Sequence, residues 1–116
     1  MDAHTPIYLQ VVETIKESII RGELVEGNMI PSVRKYTTDL GYSLQTVFNA
    51  IRVLILQDVL KKRRGVGLFV VAGAKARLLA EGIEKLNKTE IPELVRRAKL
   101  LEITTADITK IVDKLW

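Results

Sequence analysis

Four consecutive cations, Lys61, Lys62, Arg63 and Arg64, run into Gly65-Val66-Gly67, and the chemistry such a cluster suits best is anion binding. Side by side the four repel one another, and along a strand they cannot share one face, because successive side chains alternate. At a hairpin tip the same arrangement straddles a phosphate backbone, or sets one arginine into a minor groove with its negative potential. A solvated charge run on an edge strand, where lysine also blocks aggregation, is the plainer alternative. Arg34 and Lys35 form a second cationic site at the start of a short helix. There the helix dipole disfavours each by roughly 0.3–1 kcal/mol, a cost that makes sense if the helix end points at phosphates; ordinary exposed cations are the alternative. The third candidate is polar: Ser43, Gln45, Thr46 and Asn49 fall in the first turns of a longer helix. All four carry donors or acceptors able to meet base edges, and Gln or Asn can pair with adenine through two hydrogen bonds. Ser43 serves equally well as a helix cap, and Gln45 can simply be exposed. Phe48, in their midst, either touches a thymine methyl or folds back onto the hairpin or core, and packing is the favoured reading.

Catalysis finds few carriers. Cysteine is absent and His4 is the only histidine, so a disulfide framework, a thiolate metal site and a cysteine nucleophile are excluded. A Ser/His/Asp arrangement or a histidine metal cluster is left without support. Gly65-Val66-Gly67 is far too short for a dinucleotide-binding fingerprint. No enzyme activity, metal or cofactor is expected.

The elements that must position these residues follow from spacing. Pro6 opens a helix whose face is Tyr8, Val12, Ile15 and Ile19, and Gly22 stops it. Ser32 is placed to cap a short helix over 33–40, which Gly41 ends. Ser43 starts the next, over about 43–57, with Val47, Ile51 and Leu54 as its spine. Two helices parted only by Gly41 and Tyr42 make a helix-turn-helix. Residues 59–63 and 68–71, around the glycine-bearing loop, read as a β-hairpin, the basic wing of about 60–71. The expected fold is mostly α with a small β-hairpin: a winged helix-turn-helix DNA-binding domain over 1–72, then a short helical dimerisation segment over 73–116. Three apolar stripes mark that segment: Leu79, Ile83 and Leu86; Ile91, Leu94, Ala98 and Leu101; Ile108, Ile111, Val112 and Leu115. Thr104 with Asp107 imitates a capping box at the head of the third, and Pro92 falls in the first turn of the second. So much apolar surface on a short tail favours a partner helix over complete packing within one chain.

Composition agrees. Of 116 residues 47% are apolar, enough for a core, and 18 Lys and Arg stand against 14 Asp and Glu. The pI near 9.5 fits a nucleic-acid partner. The N-terminal MDAHTPIYLQ lacks a basic segment followed by an apolar run, so no signal peptide is expected. No stretch approaches the roughly 18–20 apolar residues a membrane span needs. A cytoplasmic protein with no membrane partner is expected.

Taken together, several stretches resemble the N-terminal domain of the GntR family of bacterial transcription factors. They are Pro6-Ile7-Tyr8-Leu9-Gln10, Gly22-Glu23-Leu24 with Gly27, Ile30-Pro31-Ser32-Val33-Arg34, Leu40-Gly41, Thr46-Val47 with Ala50, Arg63-Arg64-Gly65-Val66-Gly67 and Phe69-Val70-Val71, spanning about residues 6–72. The family normally adds a large effector-binding domain; the short helical tail here is similar to the YtrA subfamily. The resemblance implies a homodimer on a roughly palindromic operator in double-stranded DNA, and repression of a nearby operon, often one for a membrane transporter. It places DNA contacts on Arg34, Ser43 to Thr46, Asn49, Arg64 and Gly65. Lys35, Lys62 and Arg63 complete the expected site from the charge pattern. Relatives often carry a long polar or basic residue in place of Phe48, a basic one in place of Asn49, and arginine or proline in place of Leu44, so a different operator is expected, with the wing and Arg34 carrying more of the phosphate contact. No small-molecule effector is assigned. The alternative function is a winged-helix protein-interaction module without specific DNA binding, which the concentrated cations count against.

Overall fold

A computed structural model describes residues 5–116; His4 lies outside them. Two compact units divide the chain, one running to Leu79 and the other spanning Ala80–Trp116.

In the first unit, helix α1 (Ile7–Ile20) follows Pro6 and buries Val11, Val12, Ile15 and Ile19. Tyr8, expected on that face, is only half-buried, and Val11 lies deeper. The short helix α2 covers residues 33–39, and its Lys35–Asp39 portion is π-wound, with no side-chain hydrogen bond capping that portion. Gly41, at φ +76°, then reverses the chain in a conformation that residues with a Cβ avoid, and the Tyr42 N–H closes the turn on the Tyr36 carbonyl at 3.1 Å.

Helix α3 (Leu44–Leu56) buries Val47, Ala50, Ile51 and Leu54, an i, i+3, i+4, i+7 stripe. That stripe faces α1, and Tyr36, Ile30, Val59, Leu60 and Val70 complete the core. Strands β1 (Leu60–Arg63) and β2 (Gly67–Val70) form the antiparallel hairpin, with Leu60 opposite Val70 and Lys62 opposite Leu68. The loop before α2 adds a third edge. The N–H groups of Gly27 and Ile30 donate to Val70 and Leu68 carbonyls at 2.8 Å, and Met29 bridges Phe69. Helix α4 (Ala74–Lys85) begins in this unit and sends Ala74 and Leu78 into the core.

Within Ala80–Trp116, a π-wound segment (Leu86–Glu90) leads directly into α5 (Ile91–Leu100). Pro92 sits in the first turn of α5. Its ring would press on the carbonyl four residues back, Lys88, and the wider π turn relieves that crowding. Helix α6 (Thr105–Leu115) starts with the capping box read from the sequence: the Asp107 N–H donates to Thr104 Oγ1 at 3.2 Å, and the Thr104 N–H to Asp107 Oδ2 at 3.1 Å. Apart from Ala98, the unit buries none of its apolar side chains. Ile83, Leu86, Leu94, Leu101, Ile111 and Leu115 all stand exposed. No described helix is long and apolar enough to cross a membrane.

Candidate nucleic-acid interface

The start of α3 is built by local hydrogen bonding. Ser43 Oγ accepts from the Thr46 N–H at 3.1 Å and donates to Thr46 Oγ1 at 2.8 Å. Ser43 thereby caps the helix and keeps one acceptor lone pair free, while the Thr46 hydroxyl keeps its own proton to donate outward. One turn along, Gln45 Nε2 donates to Asn49 Oδ1 at 2.9 Å. The pair braces two long side chains against each other and leaves the Gln45 carbonyl and the Asn49 amino group unspent. A reading surface with an acceptor and donors side by side suits adenine's N6 and N7 edge.

Beside this polar pair the helix is apolar. Leu44 is 54% exposed and Phe48 46%. The packing expected for Phe48 is partial: Val47 and Ile51 fill the buried stripe, and Phe48 borders the cleft beside Leu68 of the hairpin. An open cleft lies between α3 and the hairpin, bordered by Gln45, Phe48, Arg52, Lys62 and Leu68, with Val33 of α2 at its edge. Two cations and no carboxylate border it.

The strand register divides the cationic run. Lys62 pairs with Leu68 and borders the cleft beside α3. Lys61 and Arg63 alternate to the other face, where the Arg63 guanidinium stacks 4.5 Å from the Phe69 ring centroid. Arg64 and Gly65 form the exposed tip of the loop, which the Val66 N–H closes on the Arg63 carbonyl at 3.0 Å. Arg34 and Lys35 are both exposed. The dipole cost inferred for them largely disappears, because α2 is too short and too irregular to build a strong dipole. Lys35 also lies within the field of Glu23. That carboxylate is held below its usual range chiefly by Arg21, with a smaller pull from Lys35. Ion pairs among the described residues fall on Arg21, Lys88 and Arg96, so none neutralises the cations of this face.

Arg52, which sequence reasoning did not single out, also borders the cleft. It stands exposed on the side of α3 that carries Phe48 and Gln45, four residues after the first and seven after the second. That i+4, i+7 spacing was available to identify it. The C-terminal end of α3 is tied down as well: Arg77 donates to the Gln57 carbonyl at 3.2 Å and to that of Asp58. Among the described residues, no cluster of three or more His, Cys, Asp or Glu is placed to hold a metal ion.

Comparison with known proteins agrees with this geometry. Residues 7–70 match the model for bacterial regulatory proteins of the gntR family. The chain is 39% identical over 67 residues to the mannosyl-D-glycerate transport/metabolism system repressor MngR of Escherichia coli, covering 58% of this chain but 28% of that repressor. It is 31% identical over 91 residues to the transcriptional repressor YtrA of Bacillus subtilis, covering 78% of this chain and 69% of YtrA. Among solved structures, a GntR-family transcriptional regulator from Bacteroides thetaiotaomicron superposes with a TM-score of 0.71 at 31% identity, over 93% of this chain and 95% of that one. The DNA-binding domain of AraR in complex with its operator ORR3 superposes at 0.56 and 31% identity, over 61% and 86%. With the matched model covering the whole helix-turn-helix and wing, the chain belongs to the gntR family of bacterial regulatory proteins and is a DNA-binding transcriptional regulator.

Proposed function

We propose that the chain acts in the cytoplasm as a homodimeric repressor on a palindromic operator. Helix α3 enters the major groove, Lys62 and Arg52 flank it against phosphates, and the loop tip at Arg64 and Gly65 grips the adjacent backbone. Arg34, Gln45, Thr46 and Asn49 complete the contact surface, with Ser43 holding the helix start. Lys35 and Arg63 are secondary contributors, the first shared with Glu23 and the second with Phe69. The observation that carries this reading is the face of α3 itself: a braced Gln45–Asn49 pair bordered by unpaired cations and no acid. The names of MngR and YtrA as repressors, and the operator-bound state of AraR, support it. Residues 73–116 supply the dimer contact, a role that their exposed apolar stripes support.

The test is a salt titration of binding to duplexes from the chain's own upstream DNA. The logarithm of affinity should fall linearly with the logarithm of salt concentration, by about 0.9 for each phosphate neutralised. Salt-independent binding, or none, overturns the DNA-reading role in favour of a protein partner. Sedimentation of the free chain as a monomer at micromolar concentration overturns the dimer.

A further inference from the structure

Leu44 and Phe48 are one helical turn apart and both roughly half exposed, at 54% and 46%. They stand on the outer side of α3 beside Gln45, within the surface that the proposed function assigns to DNA. Exposing a phenylalanine there forgoes apolar burial that the neighbouring Leu68 side of the cleft would otherwise supply. An occupant must therefore be apolar where it meets Phe48. Negative charge around that point is favoured, since Arg52 and Lys62 border the same cleft without a carboxylate. An uncharged protein surface meets only the first condition. The 5-methyl group of thymine, set in a groove walled by phosphates, meets both.

We infer that Phe48 is a specificity-determining residue that reads thymine methyl groups in the operator major groove, with Leu44 widening the apolar contact toward the helix start. The polar pair and the apolar pair then divide the work. Gln45 and Asn49 select a base by its hydrogen-bonding edge, whereas Phe48 selects thymine by its methyl, which no hydrogen-bonding group registers. Neighbouring A·T pairs satisfy both at once, since adenine's edge and thymine's methyl share the major groove. The half-site recognised by this chain therefore favours a thymine beside the base read by Gln45.

This inference rests on the DNA-reading role, and the experiment separates the two. The full chain is used to select duplexes from a random library, and each thymine of the selected duplex is then replaced singly by deoxyuridine. That change removes one methyl and leaves every hydrogen-bonding group in place. At one or two positions the unmodified chain should lose about fourfold in affinity, the value of withdrawing one buried methyl. The Phe48→Ala variant should bind the thymine and uracil duplexes equally, with an unchanged salt slope. Uniform tolerance of uracil by the unmodified chain overturns the inference while leaving DNA reading intact, and so does undiminished uracil sensitivity in Phe48→Ala. Failure to enrich any duplex defeats the DNA-reading role and this inference with it. Because the uracil arm is read on the unmodified chain, loss of folding in a variant cannot imitate the result.

Discussion

The Glu26 carboxylate reaches across the sequence to the start of α4, where Oε1 accepts the Lys75 N–H at 2.9 Å and Oε2 accepts that of Gly73 at 3.1 Å. Two orphan donors of a helix N-terminus are satisfied by one side chain, and a negative charge is set where the helix dipole favours it. The Gly73 and Lys75 amides, in that order, hold Glu26 below the ordinary carboxylate range. Its folded pKa thus lies below its unfolded one, so its stabilisation is present above the unfolded value, about 4.3–4.5, and fades as pH falls through the folded one. The Glu26→Gln variant should unfold at lower urea than the parent at pH 7, and the gap should narrow steadily below pH 4. A gap independent of pH would show that the charge contributes nothing.

Gly67 and Met29 make a second such contact, between the wing and the edge segment beside it. A Cβ on Gly67 would stand 2.6 Å from Met29 Sδ, and the glycine holds φ +151°. Gly67→Ala should cost about 1–3 kcal/mol through crowding and backbone strain together. Met29 is 55% exposed and flexible, so the crowding is the part that can be relieved. Adding Met29→Ala to the Gly67→Ala background should recover part of the loss and leave the strain. A thermal-unfolding double-mutant cycle measures the split, and a strictly additive pair would refute the contact.

What the sequence revealed and what it hid divide by distance along the chain. The caps on Ser43 and Thr104, the buried stripe of Val47, Ile51 and Leu54, and the hairpin around Gly65 all depend on residues within a few positions of each other, and all were legible. The Gly27–Ile30 edge was not, because GNMI has no periodicity and its partner β2 lies about forty residues away. The π winding of α2 also left no periodic mark in five residues. At the site, the cationic cluster was visible as a block, but its division was not. Only the register that sets Lys62 opposite Leu68 shows which cations turn toward α3. Phe48 was half legible for a related reason: residue type argues for burial, whereas position on α3 leaves it about half exposed.

The division of the cations has a measurable consequence. Replacing Lys62, Arg52 or Arg64 with alanine should lower affinity for all duplexes and reduce the salt slope by about 0.9 for each phosphate that is no longer neutralised. Arg63→Ala should change the slope less, since its guanidinium is engaged over Phe69, and should mainly loosen the wing. Gln45→Ala should keep the slope and relax base preference at one position. Equal slopes for Lys62→Ala and Arg63→Ala would mean that both faces of the wing touch DNA.

The dimer proposal is tested where it costs folding least. Ile111 is 54% exposed on α6, along a groove shared with Leu94, Ala98 and Leu115, so a charge there disturbs little that the single chain buries. Ile111→Glu should sediment as a monomer with its helical circular dichroism unchanged. It should bind an isolated half-site as the parent does. On the full palindrome its affinity should drop on the order of a hundredfold, because the second half-site is no longer engaged at high effective concentration. A variant that remains dimeric with full palindrome affinity would remove this face from the dimer contact and leave the other exposed apolar residues, Ile83 and Leu86 first, to be tested in its place.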